Sequence, residues 1–145
     1  MIKFWRRLKI LSIFDSTDYK NAVEYCKWQF KLNSTIGTKN ETLRDQLEVV
    51  YKTTGIKPAE LEPPCELNEL FVDAWNFFLD LHNSRTSNGF GINAISYTEI
   101  HHYFSVIQIV PQYWEIELIK LFDSTALQVI SENREKQQAQ QSKKK

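Results

Sequence analysis

The chain has 145 residues, of which 42% are hydrophobic, enough for one domain with a buried core. It contains four Gly and four Pro, too few for the many turns of a β-sandwich or barrel, so the composition favours helices. Residues 1–31 carry seven bases against three acids and residues 132–145 carry five against two, which leaves an acidic middle that argues against nucleic-acid binding.

Neither the cysteines nor the first residues indicate export or a membrane span. Cys26 and Cys65 lie far apart and match no metal-ligand spacing, which predicts free thiols in a reducing compartment. Residues 1–14 begin with bases, but their apolar run is too short for a signal peptide, and no segment reaches the roughly 20 apolar residues of a membrane span. The same segment fits either a packing terminus or a basic amphipathic helix for a membrane surface.

Apolar residues begin to recur at helical spacing after Asp15. Asp15-Ser-Thr-Asp18 offers N-cap candidates for a helix over about 16–32, and a linker follows it. A second helix is predicted over about 40–54, with Gly55 as its left-handed end. The residues predicted to face inward from this second helix are Leu43, Leu47, Val50 and Tyr51.

The strongest apolar face belongs to a third helix, predicted over about 66–83. Its inward residues recur at three- and four-residue steps: Leu67, Leu70, Phe71, Ala74, Trp75, Phe78 and Leu81. A polar loop with two glycines follows over 83–91.

Two further helices complete the predicted fold. Ser96-Tyr-Thr-Glu99 fits a capping box and predicts a helix over about 96–108. Pro111 suits the first turn of a last helix over about 111–132, whose inner face contains Trp114, Leu118, Leu121, Phe122, Thr125 and Val129. The chain is therefore predicted to be all-α, a compact bundle of about four helices with an additional N-terminal helix.

The prediction divides the chain into three parts. Residues 1–37 form a variable N-terminal segment, residues 38–132 form the helical domain, and residues 133–145 form a polar tail. The tail has no apolar face and is expected to fray or to be disordered.

No residue pattern indicates catalysis, a cofactor or a metal ion. His101 and His102 are neighbours on a helix and point about 100° apart, so they do not easily chelate one ion. Glu69, Asp73 and Asp80 lie on the solvent side of the third helix. Nucleotide-binding and hydrolase motifs do not occur. We expect no catalytic residue, no metal, no cofactor and no enzymatic activity.

Four residues are predicted to contact a protein partner. Trp75 and Trp114 offer large apolar area, although core packing explains both equally well. Phe90 lies between two glycines where no helical stripe accounts for it, and Arg85 is close by in the sequence. These last two residues fit either a contact patch or loop anchors.

Short motifs in order resemble a known family. They include Thr42-Leu-Arg-Asp-Gln-Leu47, Leu70-Phe-Val-Asp-Ala-Trp75, Ile95-Ser-Tyr-Thr-Glu-Ile100 and Leu121-Phe-Asp123. Over about Thr38 to Glu132 the chain resembles the tail assembly chaperones of long-tailed phages and prophages. In place of the glycine expected between the last two helices it has Ile107-Gln-Ile-Val110, so this corner is expected to be shaped differently.

The resemblance implies a cytoplasmic protein of the bacterial host that binds the tape measure and tail tube proteins during tail morphogenesis and is absent from the mature virion. In such systems the second reading frame is often joined to the first by a ribosomal frameshift. Residues 1–35 fit the family poorly, which is consistent with an upstream partner segment or an imperfect start. Two alternatives stay open: a small helix-turn-helix-like nucleic-acid-binding regulator, and a peripheral membrane protein that uses residues 1–14.

Overall fold

A computed structural model describes residues 14–36, 40–86 and 91–143. Over these residues the chain forms five α-helices and no β-strand, which confirms the all-α prediction. The helices are α1 (Ser16–Leu32), α2 (Leu43–Thr54), α3 (Val72–Ser84), α4 (Tyr97–Ile107) and α5 (Tyr113–Ser142). Two 3₁₀ turns, Ala59–Leu61 and Glu69–Phe71, lie between α2 and α3.

Local capping explains where the helices begin. Ahead of α4, the Ser96 hydroxyl accepts the Glu99 N–H at 3.2 Å, and the Glu99 carboxylate accepts the Ser96 N–H at 2.7 Å, as the capping-box pattern predicts. Thr42 and Asp45 form a second capping box, which places the start of α2 at Leu43. Gly55 ends α2 with φ 71°, the predicted left-handed conformation.

The chain divides into two units, and the divisions fall inside α1, between Glu66 and Leu67, and inside α5. Unit 1 consists of Met1–Val23 and Leu67–Ser124. Its buried residues come from α1, α3, α4 and α5 and from the residues that precede α1, α3 and α4; they include Phe14, Ala22, Phe71, Trp75, Phe78, Ile95, Ile100, Phe104, Leu118 and Phe122. The predicted α3 face is therefore the centre of this unit, apart from Leu70, which is 60% exposed because it lies in a 3₁₀ turn before α3.

Unit 2 consists of Glu24–Glu66 and Thr125–Lys145. Here α2 differs from the prediction, because none of its residues is buried. Leu43 and Leu47 are half-buried, whereas Val50 and Tyr51, also expected inside, are 47% and 43% exposed. Arg44 adds polar contacts to α1: it donates to Gln29 Oε1 at 3.0 Å and lies 5.8 Å from the ring of Trp28. The apolar pattern of α2 predicted the helix correctly and the burial of its inward residues only in part.

The last helix runs past its predicted end at about residue 132, to Ser142. The polar segment 133–142, for which disorder or fraying is expected, is helical. Its Glu, Lys and Gln residues are good helix formers, and the helix propagates from the packed part of α5 without needing a new nucleus. Gln137 Nε2 also donates to the Thr35 carbonyl at 3.1 Å.

Candidate interaction surface

The two tryptophans predicted to contact a partner differ in exposure. Trp75 is 7% exposed, and its ring centroid lies 5.0 Å from that of Phe122. Trp114 is half-buried, with its ring 5.1 Å from Phe14. Core packing accounts for Trp75, of which a partner can reach only a small part. Trp114 keeps an exposed edge near the start of α5.

Arg85 forms a buried ion pair. Its Nη2 lies 2.5 Å from Asp123 Oδ1, and the side chains of Arg85 and Asp123 are 6% and 2% exposed. Arg85 Nη1 also donates to the Asn93 carbonyl at 2.9 Å. These contacts make Arg85 an anchor of the loop between α3 and α4, which is the second of the two roles that the sequence left open. Phe90 lies outside the described residues.

Asp123, which the sequence reasoning missed, connects this loop to α5. Its Oδ2 accepts the N–H of Ile95 at 2.8 Å, so one carboxylate holds both Arg85 and the residue that leads into the α4 cap. Lys120 adds a hydrogen bond to the Ile95 carbonyl. The sequence did contain a signal for a paired carboxylate here. Asp123 is the single acid between Glu117 and Glu132 on a helix with an apolar face, and a buried acid is almost always paired.

His82 lies close to this ion pair. Burial lowers its pKa, and the positive charge of Arg85 lowers it further, against a smaller opposing effect of Asp123. Its ring centroid is 5.7 Å from that of Phe78. His82 is therefore held neutral at pH 7, and its protonation opposes the folded state.

The corner between α4 and α5 is closed without glycine. Gln108 takes the left-handed conformation, with φ 57° and ψ 37°, and its N–H donates to the Phe104 carbonyl. This is the conformation that glycine usually supplies at a helix end. The turn that the sequence expected to be altered at Ile107–Val110 thus forms with a non-glycine residue in the left-handed position.

A groove lies at this corner, and we call it the corner groove. Its volume is about 470 Å³. The residues that line it are Tyr97, Ile100, His101, Phe104, Ser105, Gln108, Ile109, Val110, Pro111 and Ile116. All of them belong to unit 1.

Apolar side chains around the corner groove are unusually exposed. Val110 is 90% exposed, Tyr97 63% and Ile109 45%. Single exposed apolar residues are normal, whereas several at the rim of a concave apolar site are typical of a binding surface. The corner groove is therefore the candidate interaction surface of unit 1.

The charges of residues 67–124 do not favour an anionic ligand. Residues 67–124 contain two bases, Arg85 and Lys120, and both bind within the chain. The first turns of α5 contain Glu115 and Glu117, where a DNA-reading helix would need bases. On the same unit, the Tyr103 hydroxyl donates to Asp80 Oδ2 at 2.5 Å. Burial and this hydrogen bond raise the pKa of Tyr103.

The part of the chain that the structure describes contains neither a candidate metal site nor a candidate membrane span. Within residues 14–36, 40–86 and 91–143, no three His, Cys, Asp or Glu side chains lie close enough to share a metal ion. His101 and His102 have ring centroids 5.9 Å apart, and His101 faces the corner groove. No helix in these ranges combines the length and the apolar character that crossing a membrane requires. The amphipathic segment predicted in residues 1–14 lies outside the described residues except for Phe14.

The fold and the corner groove define a class: a small all-helical protein that offers an apolar groove on an otherwise acidic unit. The chain belongs to the phage tail assembly chaperone family, whose model matches residues 50–128, more than half of the chain. No curated protein and no solved structure matches it.

Proposed function

We propose that this chain binds the tape measure protein and the tail tube protein while a phage tail is assembled, and that it does so without catalysis. The family match over residues 50–128 supports the role in tail assembly. The proposal places the protein in the cytoplasm of the infected or lysogenic bacterium, absent from the finished virion. The domain that carries the function is proposed to be residues 38–132, which contain the matched range.

The corner groove is the proposed client surface, and its exposed apolar rim is the observation that carries this choice. A chaperone binds apolar surface of a client that is not yet buried in an assembly, and the groove offers Val110 at 90% and Tyr97 at 63% exposure. Tyr97 is the first residue of the capped helix α4 and Val110 lies in the short turn after it, so both are presented at little cost in conformational entropy.

The residues predicted from the sequence enter this proposal in different ways. Trp114 packs on Phe14 in the first turn of α5, on a different side of this helix from the groove-lining Ile116. Trp75 and Arg85 act from inside, because they fix the core and the loop behind α4. Phe90 stays a proposed contact residue.

Co-expression tests the proposal. A tagged chain and the tape measure protein encoded in the same phage or prophage are produced together, and the tagged chain is captured at moderate salt. We expect the tape measure protein to be recovered in stoichiometric amounts, and the tail tube protein in a parallel experiment. Recovery of neither, with both proteins present in the lysate, would rule the proposal out. A coiled-coil protein of similar length from outside the tail genes is the control for non-specific capture.

A further inference from the structure

We infer that Lys120 is a positioning residue of the corner groove, because its ammonium group holds the Tyr97 ring at the rim of the groove. Tyr97 lines the groove and is 63% exposed. Lys120 Nζ lies 5.0 Å from the centroid of the Tyr97 ring, within the range of a cation–π contact. Lys120 does not itself line the groove, so it acts on a bound partner through Tyr97.

Lys120 connects the two helices that line the groove. Ile116, the groove-lining residue of α5, comes one helical turn before Lys120, and residues four positions apart lie on the same side of a helix. Tyr97 is the first residue of α4. The side chain of Lys120 therefore joins the groove-lining side of α5 to the first turn of α4.

The ammonium group of Lys120 is itself held in place. Lys120 Nζ donates to the Ile95 carbonyl at 2.5 Å, and the Ile95 N–H donates to Asp123 Oδ2 at 2.8 Å. Two side chains of α5, about one turn apart, thus bind both backbone groups of Ile95, which is 1% exposed and precedes the α4 cap. Buried backbone groups outside a helix need such partners. Because the hydrogen bond to Ile95 fixes Nζ, the cation has little freedom to leave the Tyr97 ring.

Helix stability does not explain a positive charge at this location. The N-terminus of a helix carries a partial positive charge, which favours acids and disfavours bases. Glu99 supplies the acid, since it accepts hydrogen bonds from the Ser96 N–H and hydroxyl. These hydrogen bonds lower the pKa of Glu99 most, and the positive charges of Arg85 and Lys120 lower it further. A neutral donor would serve the Ile95 carbonyl as well, whereas the contact with the ring face needs a cation.

An ordered aromatic ring favours binding at an exposed surface. An exposed side chain changes rotamer within picoseconds to nanoseconds unless a contact favours one rotamer. A cation–π contact at an exposed site favours one ring position by about two- to fivefold. If the groove binds a client, as proposed above, replacing Lys120 makes the competent position of Tyr97 less populated, and the client binds about two- to fivefold more weakly. That consequence rests on the proposed function, whereas the ordering of the ring does not.

Nuclear magnetic resonance of the isotope-labelled full-length chain measures the ordering of the ring without a client. Three-bond couplings about χ1 of Tyr97 are compared between wild type, Lys120→Gln, which keeps a donor but removes the charge, and Lys120→Arg, which keeps the charge. We expect couplings of one predominant rotamer in wild type and in Lys120→Arg, and couplings closer to the rotamer average in Lys120→Gln. The ring current of Tyr97 should shift the Lys120 side-chain methylene protons upfield, and this shift should disappear in Tyr97→Leu. Tyr113, in the first turn of α5, is the control, and its couplings should not change.

Equal Tyr97 couplings in wild type and Lys120→Gln would overturn the inference, and so would averaging at Tyr113 as well, which would make the role of Lys120 a general structural one. Titration calorimetry with the tape measure protein recovered on capture extends the test. Lys120→Gln should bind it about two- to fivefold more weakly, and Lys120→Arg should recover most of the affinity. If no tape measure protein is recovered, the proposed function fails, and the couplings still decide whether Lys120 positions the ring.

Discussion

The buried ion pair between Arg85 and Asp123 gives the sharpest prediction for stability. Asp123→Asn keeps the shape of the side chain but removes the charge that compensates Arg85, whose side chain is 6% exposed. Breaking one partner of a buried pair costs about 3–5 kcal/mol. A domain of this size has about 5–15 kcal/mol of total stability, so the variant should lose roughly a fifth of it or more. The loop that Arg85 anchors at Asn93 should loosen with it.

Urea unfolding followed by tryptophan fluorescence and by far-UV circular dichroism measures this loss. Asp73→Asn, an exposed acid on α3, is the matched control and should change the free energy of unfolding by less than about 0.5 kcal/mol. The double variant Arg85→Met with Asp123→Leu removes both charges and should recover part of the loss, because the Ile95 N–H still loses its acceptor. A loss below about 1 kcal/mol for Asp123→Asn, or a double variant as unstable as the single one, would refute the reasoning.

Three further predictions concern the helix ends and pH. Gln108→Gly should raise the free energy of unfolding by about 0.5–1 kcal/mol, because it removes a left-handed strain of about 1–2 kcal/mol and adds less than that in chain entropy. Gly55→Ala should lower the free energy of unfolding by about 1 kcal/mol. The added Cβ would meet no atom within 4 Å, but φ at Gly55 is 71°, which disfavours a residue with a side chain. Changes of the same sign for Gln108→Gly and Gly55→Ala in urea unfolding would contradict this account. Ser96→Ala should cost about 1 kcal/mol by removing the α4 cap, and a thermal midpoint unchanged within error would argue against the capping role. The pKa of His82 is lowered in the folded state, so the unfolded state binds a proton first as the pH falls. The contribution of His82 to the free energy of unfolding should therefore be fully present above about pH 6.5 and should decline as the pH falls towards 5. His82→Gln should flatten this decline, whereas the control His102→Gln, at an exposed position, should leave it unchanged. If the free energy of unfolding of wild type and of His82→Gln has the same slope against pH, His82 is not the cause.

Local signals predicted the helix ends well. The Ser96 capping box, the left-handed Gly55 and the N-cap role of Asp15, which accepts the Asp18 N–H at 2.9 Å, depend on residues three or four positions apart. The apolar face of α3 could also be predicted from the sequence, since helical spacing alone decides which residues lie on the same side of a helix. These features need no knowledge of the rest of the chain.

The features that the sequence could not give depend on distant partners. The Arg85–Asp123 pair joins residues 38 positions apart, and nothing near either residue marks the other. Burial of α2 was predicted only in part for the same reason, because an apolar stripe does not say whether a neighbour is present to cover it. Gln108 adopts a conformation that its own propensity disfavours, which the surrounding helices impose. The corner groove follows from that turn and was therefore missed as well.

The most direct test of the central claim measures client binding at the corner groove. Titration calorimetry with the tape measure protein, or with the part of it that is recovered on capture, compares the wild-type chain with Val110→Asp and with the control Val49→Asp, which places the same charge on an exposed valine of unit 2. We expect Val110→Asp to weaken binding at least about tenfold and Val49→Asp to change it less than about twofold. Equal affinities for wild type and Val110→Asp would show that the client binds elsewhere and would contradict the account.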